Sequence, residues 1–444
     1  MAVEMKNTGI EWIGKIPEEW TVNKIKYSAI LKGRIGWQGL TAAEYKDEGP
    51  YLITGIDFED GSIDWEHCEH VELKRWAEDP YIQIVNGDLL ITKDGTVGKT
   101  AIVNDLNDKA TLNSGVLLIR TDDTCNKRYL YWILNSQLFW KWFNVINSGN
   151  STIIHLYQGD FNNFVYPVPD KTEQKKIADF LDKQTSKIDA IIKTNEEQLE
   201  VLKKYKKSLI TQTVTKGLNK NVKMKDSGID WIGQIPEGWE MQRMKYILVK
   251  ENPIRVGPFG TALTTSDYTD DGKWVYNQRV VLDKNFFEND TYISEQKARE
   301  LKGFKVYPND ILITTRGTIG KVAKVPVNCP DGVLHPCIIR FRVDEKKLPY
   351  SLIDFLFNQS DFILEQITRF SNATTIDVIY SETLKNLIVP IIPEVKLKEI
   401  LVFLSEKCIK IDSLINEKQQ AIEIMQKYKK SLIYEYVTGK KRIK

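Results

Sequence analysis

The stretch ITKDGTVGKT, Ile91 to Thr100, ends in the letters of a phosphate-binding loop. Such a loop, G-x-x-x-x-G-K-S/T, uses its first glycine to turn the backbone so that successive N–H groups cradle phosphate, and its hydroxyl residue holds magnesium. Here Gly98, Lys99 and Thr100 supply the tail, but Lys93 stands where the first glycine belongs. A second version, ITTRGTIGKV from Ile313 to Val322, also replaces the hydroxyl residue by Val322. An ATP site is therefore not expected, and the question becomes why one chain carries the loop twice. Other catalytic spacings are incomplete as well. An amino-methyltransferase needs two prolines before an aromatic residue to hold its target amine, and Asp79-Pro80-Tyr81 has one. A magnesium nuclease of the PD…(D/E)xK type finds Pro330-Asp331 and Asp344-Glu345-Lys346, two carboxylates and a lysine at a workable gap, yet the matching place in the first half, Thr121 to Cys125, has no lysine. His67-Cys68-Glu69-His70 gathers metal-type ligands without a second cluster, and the four histidines form no Cys/His or Ser/His/Asp arrangement. No catalytic residue and no metal ligand is assigned.

The elements that position these loops are written twice. MKNTGIEWIGKIPEEWTVNKIKY at Met5 to Tyr27 recurs as MKDSGIDWIGQIPEGWEMQRMKY at Met224 to Tyr246, and KIDAIIKTNEEQLEVLKKYKKSLITQTVT from Lys187 recurs as KIDSLINEKQQAIEIMQKYKKSLIYEYVT from Lys410. The glycine loops fall between at nearly the same offset. A period of about 220 residues is too long for a solenoid, so a domain-plus-helix unit has been duplicated. Between the shared anchors the halves differ freely. That suits a reader of two unlike half-sites, and drift after duplication remains the other account.

β-rich runs such as DLLITK, SGVLLIR and GVLHPCIIRFRV predict strands in two mixed globules, with short helices around KRYLYWILNSQLFWKWF and LPYSLIDFLFNQSDFILEQI. Pro167 with Pro169, and Pro390 with Pro393, close each globule before a helix of about forty residues, roughly 60 Å long. Leu181, Ile188, Leu202 and Leu209 fall on a spacing of sevens in the first helix, with Ile191, Ile192, Leu199 and Tyr205 beside them, and Leu404, Ile411, Leu414, Ile415, Ile422, Met425, Tyr428 and Leu432 form the matching stripe in the second. Such a seam pairs helices, and polar Asn195 and Lys418 interrupt it where register could be set. The expected fold is α+β: two mixed α/β globules separated by two long helices packed as an antiparallel coiled coil, with a pseudo-two-fold internal repeat. The expected boundaries are residues 1–168 and 220–391 for the globules, 169–219 for the first helix, and 392–444 for the second helix with its basic tail.

At 444 residues, 42% apolar and 27% charged, the chain reads as globular, and no run reaches the about 18 apolar residues of a membrane span. Five scattered cysteines without C-x-x-C suit a reducing, cytoplasmic setting. A net charge of +2 does not announce a nucleic-acid binder, although the lysine-rich tract from Lys171 to Lys220 and the terminal GKKRIK segregate positive charge.

With these residues in hand, the chain resembles the specificity subunits of type I restriction-modification systems. The resemblance rests on the order globule, helix, globule, helix; on GIEWIGKIPEEW and GIDWIGQIPEGW; on RIGWQG and RVGPFG; on the GTVGK and GTIGK loops; and on PVPDKTEQKKIADFLDKQTSKIDAII leading into the first helix. The second copy departs from it with PEVKLKEILVFL, which lacks the pair Glu173-Gln174. The resemblance implies two target-recognition domains, each reading half of an interrupted double-stranded DNA sequence, with the helices as an antiparallel ruler. It implies a non-catalytic chain that holds no cofactor. S-adenosylmethionine would belong to partner modification subunits that methylate adenine, and ATP and Mg²⁺ to restriction motor-nuclease subunits. The expected DNA contacts are Arg34 and Arg255 in the glycine-bracketed loops; Thr92, Lys93 and Lys99 with Arg316 and Lys321 in the glycine loops; and the matched but unlike sites Thr54 to Asp57 and Asn277, Gln278 and Arg279. For the glycine loop itself, a DNA-facing turn and a purely structural hairpin both stay open. So does a coiled-coil interaction scaffold that reads no DNA.

Overall fold

Leu89–Thr92 and Ile311–Thr314 are buried at every position, as a central strand covered on both faces must be. The structure is a computed structural model that describes residues 4–35, 40–147, 155–219, 221–288, 290–370 and 378–443. In it each of these strands lies inside a four-stranded antiparallel sheet. The order is Thr100–Ile102, Leu89–Thr92, Val116–Thr121, Ala29–Gly33 in the first copy, and Val322–Lys324, Ile311–Thr314, Ile338–Phe341, Ile254–Val256 in the second. The pleat sends alternate residues to opposite sides. Leu89, Ile91, Leu117 and Ile119 join a large core with the helices, while Leu90, Val116 and Leu118 join a smaller one. Ile311, Ile313, Ile339 and Phe341 are divided from Leu312 and Ile338 in the same way.

A second sheet in each copy contains one parallel pair, Ala110–Leu112 beside Lys46–Ile53 and Gly332–Leu334 beside Lys273–Tyr276. The helices expected after each sheet are Lys127–Leu134 with Gln137–Asn147, and Tyr350–Asp354 with Phe362–Phe370. Val165–Val168 then returns to pair with Thr21–Lys24, and Ile388–Ile391 with Glu240–Arg243. This brings the end of each globule beside its start.

The long helices are Lys171–Lys216 and Glu394–Val437, 46 and 44 residues, or roughly 69 and 66 Å at 1.5 Å per residue. The first is capped by Asp170, whose Oδ1 accepts from the Glu173 N–H at 2.8 Å. Gln174 is buried and ties the helix start to its globule through Pro169 O, Thr124 O and the Asn126 N–H. In the second helix Pro393 and Leu397 take the places of Asp170 and Gln174, and buried Leu397 replaces this hydrogen bonding by apolar contact.

The chain divides into two compact units, Met1–Glu196 with Gln420–Lys444, and Glu197–Gln419. In the first, the end of the second long helix completes the core. Leu432, Ile433 and Val437 join Trp20, Tyr129, Ile177 and Leu181, and the Tyr129 hydroxyl stands 3.1 Å from Val437 O. In the second, the end of the first long helix contributes Ile210 and Val214 to the core of Trp239, Leu397 and Leu404. The helix segments run antiparallel in both units. Phe180 meets Tyr436 and Asp189 meets Lys429 at 2.6 Å in one; Lys206 meets Asp412 at 2.7 Å in the other, where Gly217 and Pro393 line one pocket.

Two seam residues are corrected. Ile191 and Leu414 are 45% and 44% exposed, because the inward positions alternate by fours and threes and fall instead on the better-covered Ile192 and Ile415. Leu181, Ile188, Leu199, Leu404 and Ile411 are buried; Leu202, Ile422 and Met425 are half-buried. The Asn195 side-chain amide donates to Ile191 O of its own helix at 2.8 Å. Among the described residues, no helix is long and apolar enough to cross a membrane.

Candidate nucleic-acid interface

The glycine loops are β-hairpin turns. Leu89–Thr92 leads through the loop into the antiparallel strand Thr100–Ile102, and Ile311–Thr314 into Val322–Lys324, whereas a phosphate-binding loop leads from a strand into a helix. The turn closes on a buried threonine. Thr92 Oγ1 accepts from the Lys99 N–H at 3.0 Å and Thr92 O from the Gly98 N–H at 2.9 Å; Thr314 makes the same bonds with Lys321 and Gly320 at the same lengths. These N–H groups are therefore spent inside the loop. Gly98 has φ +85°, and a Cβ there would lie 2.8 Å from Trp140 on helix Gln137–Asn147, so both backbone and packing demand glycine. Thr92 is corrected on this geometry: it is the buried lock of the turn.

Around this shared turn the exposed chemistry differs. In the first unit Lys99 is exposed, Lys93 half-buried, and Asp94 paired with His155. In the second, Arg316 is exposed at the place of Asp94, whereas Lys321 is half-buried with Nζ donating to Asn358 O at 3.1 Å, burial pulling its pKa down. Lys321 is thus less available to phosphate than Lys99.

The unlike sites 54–57 and 277–280 do lie beside the loops. A Cβ on Gly55 would sit 3.5 Å from Thr92 Cγ2, and one on Gly317 would sit 3.5 Å from the Gln278 amide. Their members divide into framework and surface. Thr54 N–H and Oγ1 both donate to Asp57 Oδ2, at 2.6 and 2.9 Å, and Asp57 is buried, which raises its pKa. Asn277 caps helix Gln278–Asp283 by accepting from the Val280 N–H at 3.2 Å. Asp57 and Asn277 are corrected to turn-forming roles. Gln278 is half-buried against the loop, and Arg279 is exposed with Asp290 at 3.0 Å.

Arg34 is also corrected. Its side chain is fully buried, with Nη1 paired to Asp79, Nε donating to Leu112 O at 2.9 Å and Nη2 to Thr111 Oγ1 at 3.1 Å. Burial pulls its pKa below the usual arginine value, and Asp79 offsets part of that effect. Nor do Arg34 and Arg255 match. Gly33 pairs with Leu117, and Val256 with Ile339, at equivalent places in the two sheets, so Arg255 corresponds to Lys32 and Arg34 to Gly257. The shared letters R-x-G misalign by two residues. Lys32 and Arg255 are both exposed, and sequence reasoning missed Lys32; the outward alternation of Ile30 and Lys32 in Ala29–Gly33 was the available signal. Residues 36–39 of the first bracketed loop lie outside the described residues.

Neither nuclease nor metal motif assembles. Asp331 is held by Lys305 at 2.7 Å and Lys273 at 3.2 Å, while Glu345 pairs with Lys324. Cys68 is buried, His67 is exposed beside Asp64, and among the described residues no three metal-type side chains gather.

The family model for the type I restriction modification DNA specificity domain matches residues 41–201 and 254–424, once in each half. The chain belongs to this family. Within it, the chain is 27% identical to the putative type I restriction enzyme MjaX specificity subunit of Methanocaldococcus jannaschii, over 97% of this chain and 96% of that one. The fold is similar to a chain from a solved structure on complex assembly and conformational transition of the type I R-M system, with TM-score 0.70, 12% identity, and 95% and 98% of the two chains covered. It is also similar to the HsdS subunit from Thermoanaerobacter tengcongensis, with TM-score 0.50, 13% identity, and 96% and 98% covered. Both specificity-domain matches include a glycine hairpin and much of one long helix.

Proposed function

We propose that this specificity chain reads an asymmetric, interrupted double-stranded DNA sequence for a type I restriction-modification complex, one half-site per globule. The observation that carries the reading is a repeated frame, matched residue by residue through its strand register, whose positions beside the hairpin hold opposite chemistry, such as half-buried Asp94, paired with His155, against exposed Arg316. The chain itself is non-catalytic in this reading. Adenine methylation with S-adenosylmethionine, and ATP- and Mg²⁺-dependent cleavage, belong to the modification and restriction subunits it assembles with. Gel-shift selection from random bipartite duplexes, alone and with modification subunits, tests it; binding without any sequence preference in either case would refute it.

Lys99 provides a narrower test. A phosphate contact carries no sequence information but releases counterions. Lys99→Ala is expected to weaken binding to all sequences alike and to reduce the slope of log affinity against log salt by about 1. A change at one base position with an unaltered slope would refute the phosphate role.

The helices are proposed to set the half-site spacing and to dock the modification subunits. Apolar residues that face outward support this: Ile191, Ile424 and Tyr428 in the first unit, and Val201, Tyr205, Val402 and Ile409 in the second. Ile188→Asp and Ile411→Asp, at positions 5% and 6% exposed, should each destabilise at least as much as an Ile→Ala truncation, about 2–5 kcal/mol, and release the modification subunits. Unchanged helical content, sedimentation and subunit capture would count against the pairing.

A further inference from the structure

The unlike sites beside the glycine hairpins, a turn in the first copy and the start of helix Gln278–Asp283 in the second, carry matched but opposite side chains. Ile53 pairs with Leu112, and Tyr276 with Leu334, in the equivalent parallel ladders, so Thr54 corresponds to Asn277 and Ile56 to Arg279. Ile56 is 85% exposed, and the Arg279 side chain 72%. We infer that Ile56 reads the C5 methyl group of a thymine in the half-site assigned to the first globule, as the counterpart of the guanidinium that Arg279 presents in the second. This rests on the half-site reading proposed above.

A lone exposed isoleucine needs no explanation by itself. What distinguishes Ile56 is where it stands and how it is held. Its turn is built from inside: Asp57 is buried and accepts both the Thr54 N–H and Thr54 Oγ1, and Asp57 O accepts from the Asp64 N–H at 2.9 Å. Gly55 lies against Thr92, the lock of the hairpin that carries exposed Lys99. The tip is therefore preorganised, and a β-branched side chain has little rotamer freedom left to lose on binding. In the major groove thymine alone among the four bases presents a methyl group, which is read by apolar contact, while guanine presents two acceptors to an arginine. Ile56 offers no donor and no acceptor, so thymine is the base it can select. The exposed ion pairs of Arg279 with Asp290 and Asp283 are the weak kind, and exchange for guanine does not meet a large barrier there.

The test is selection from a duplex library with randomised bases, using the full chain assembled with modification subunits, for the native sequence and for Ile56→Ala. One thymine preference in one half-site should disappear, with the other half-site and the unfolding midpoint unchanged. In the selected target, deoxyuridine at that position should lower affinity of the native chain about fourfold, the value of one buried methyl group, and leave Ile56→Ala unaffected. The inference is overturned if Ile56→Ala keeps every preference, if it still separates thymine from deoxyuridine, or if it loses subunit assembly instead of base preference. A native chain that selects no bipartite sequence at all would overturn the half-site reading itself, and this inference with it.

Discussion

Exchanging residues 239–391 for the matching segment of a family member with a different target is expected to change one half of the methylated sequence and leave the other intact. The physical basis is that the two units have separate cores. The segment supplies Trp239, Ile311, Phe341, Leu384 and Val389 to the core of the second unit, where they meet Ile210, Val214, Leu404 and Cys408 of the long helices. Among the described residues, none of the segment belongs to the core that holds Trp20, Tyr129 and Val437. The exchange therefore replaces exposed Arg255, Arg279 and Arg316 together with half-buried Gln278, and leaves Lys32, Ile56 and Lys99 in place. Apolar residues of similar volume must stand at the helix-facing positions of the donor segment, since a cavity beside Ile210 or Leu404 costs about 2–5 kcal/mol and would unfold the unit before its specificity could be read. Sequencing of the methylated sites is the measurement. If both halves of the target changed together, or neither did, the globules would not divide the target.

The repeat, the helix pair and the hairpins were legible because each is written in spacing. LLIT and ILIT announce central strands by unbroken apolar character, and sevenfold recurrence announces a seam. Spacing gave the stripe but not the choice between neighbours in it: Ile191 and Ile192 are adjacent and equally apolar, and only the alternation of fours and threes, with Thr185 and Leu199 as neighbours in the pattern, selects Ile192. The interface was less legible for a different reason. Polar residues that recognise DNA and polar residues that close a turn are drawn from the same set. Thr92, Asp57 and Asn277 are good hydrogen-bonding types at matched positions, yet their partners lie within the fold: their own backbone neighbours, the hydroxyl of Thr54 for Asp57, and the side chains of Thr291 and Asp290 for Asn277. Only burial and register separate them from Lys99, Gln278 and Arg316. Register also overrules letters. The two R-x-G triplets look equivalent, but the ladder places Arg255 opposite Arg340, at the level where the first copy has Lys32 opposite Leu118.

Arg34→Ala is expected to unfold the first unit rather than to alter its DNA preference. Both charges of the pair it forms with Asp79 are fully buried, and removing Arg34 takes away the carboxylate's nearest cation, leaving it Arg75 at 3.7 Å and the Tyr81 hydroxyl at 3.2 Å, so the loss should approach the about 3–5 kcal/mol of a broken buried pair. The substitution also strips Leu112 O and Thr111 Oγ1 of their donors, at strands that carry the second sheet. A base-contacting arginine behaves differently: its loss costs about 1–3 kcal/mol of binding at one position and leaves stability alone. The two accounts separate in one pair of measurements, urea unfolding of the full chain and base preference of the fraction that remains folded. Buried structure predicts a large fall in the unfolding midpoint with unchanged preference. Arg34→Met combined with Asp79→Leu should recover much of the loss, because a buried ion pair exchanged for apolar side chains of similar volume is often neutral. The recovery should stay incomplete by the about 1–3 kcal/mol that the orphaned Leu112 carbonyl contributes. Unchanged stability in Arg34→Ala, with one base preference lost, would return Arg34 to the interface.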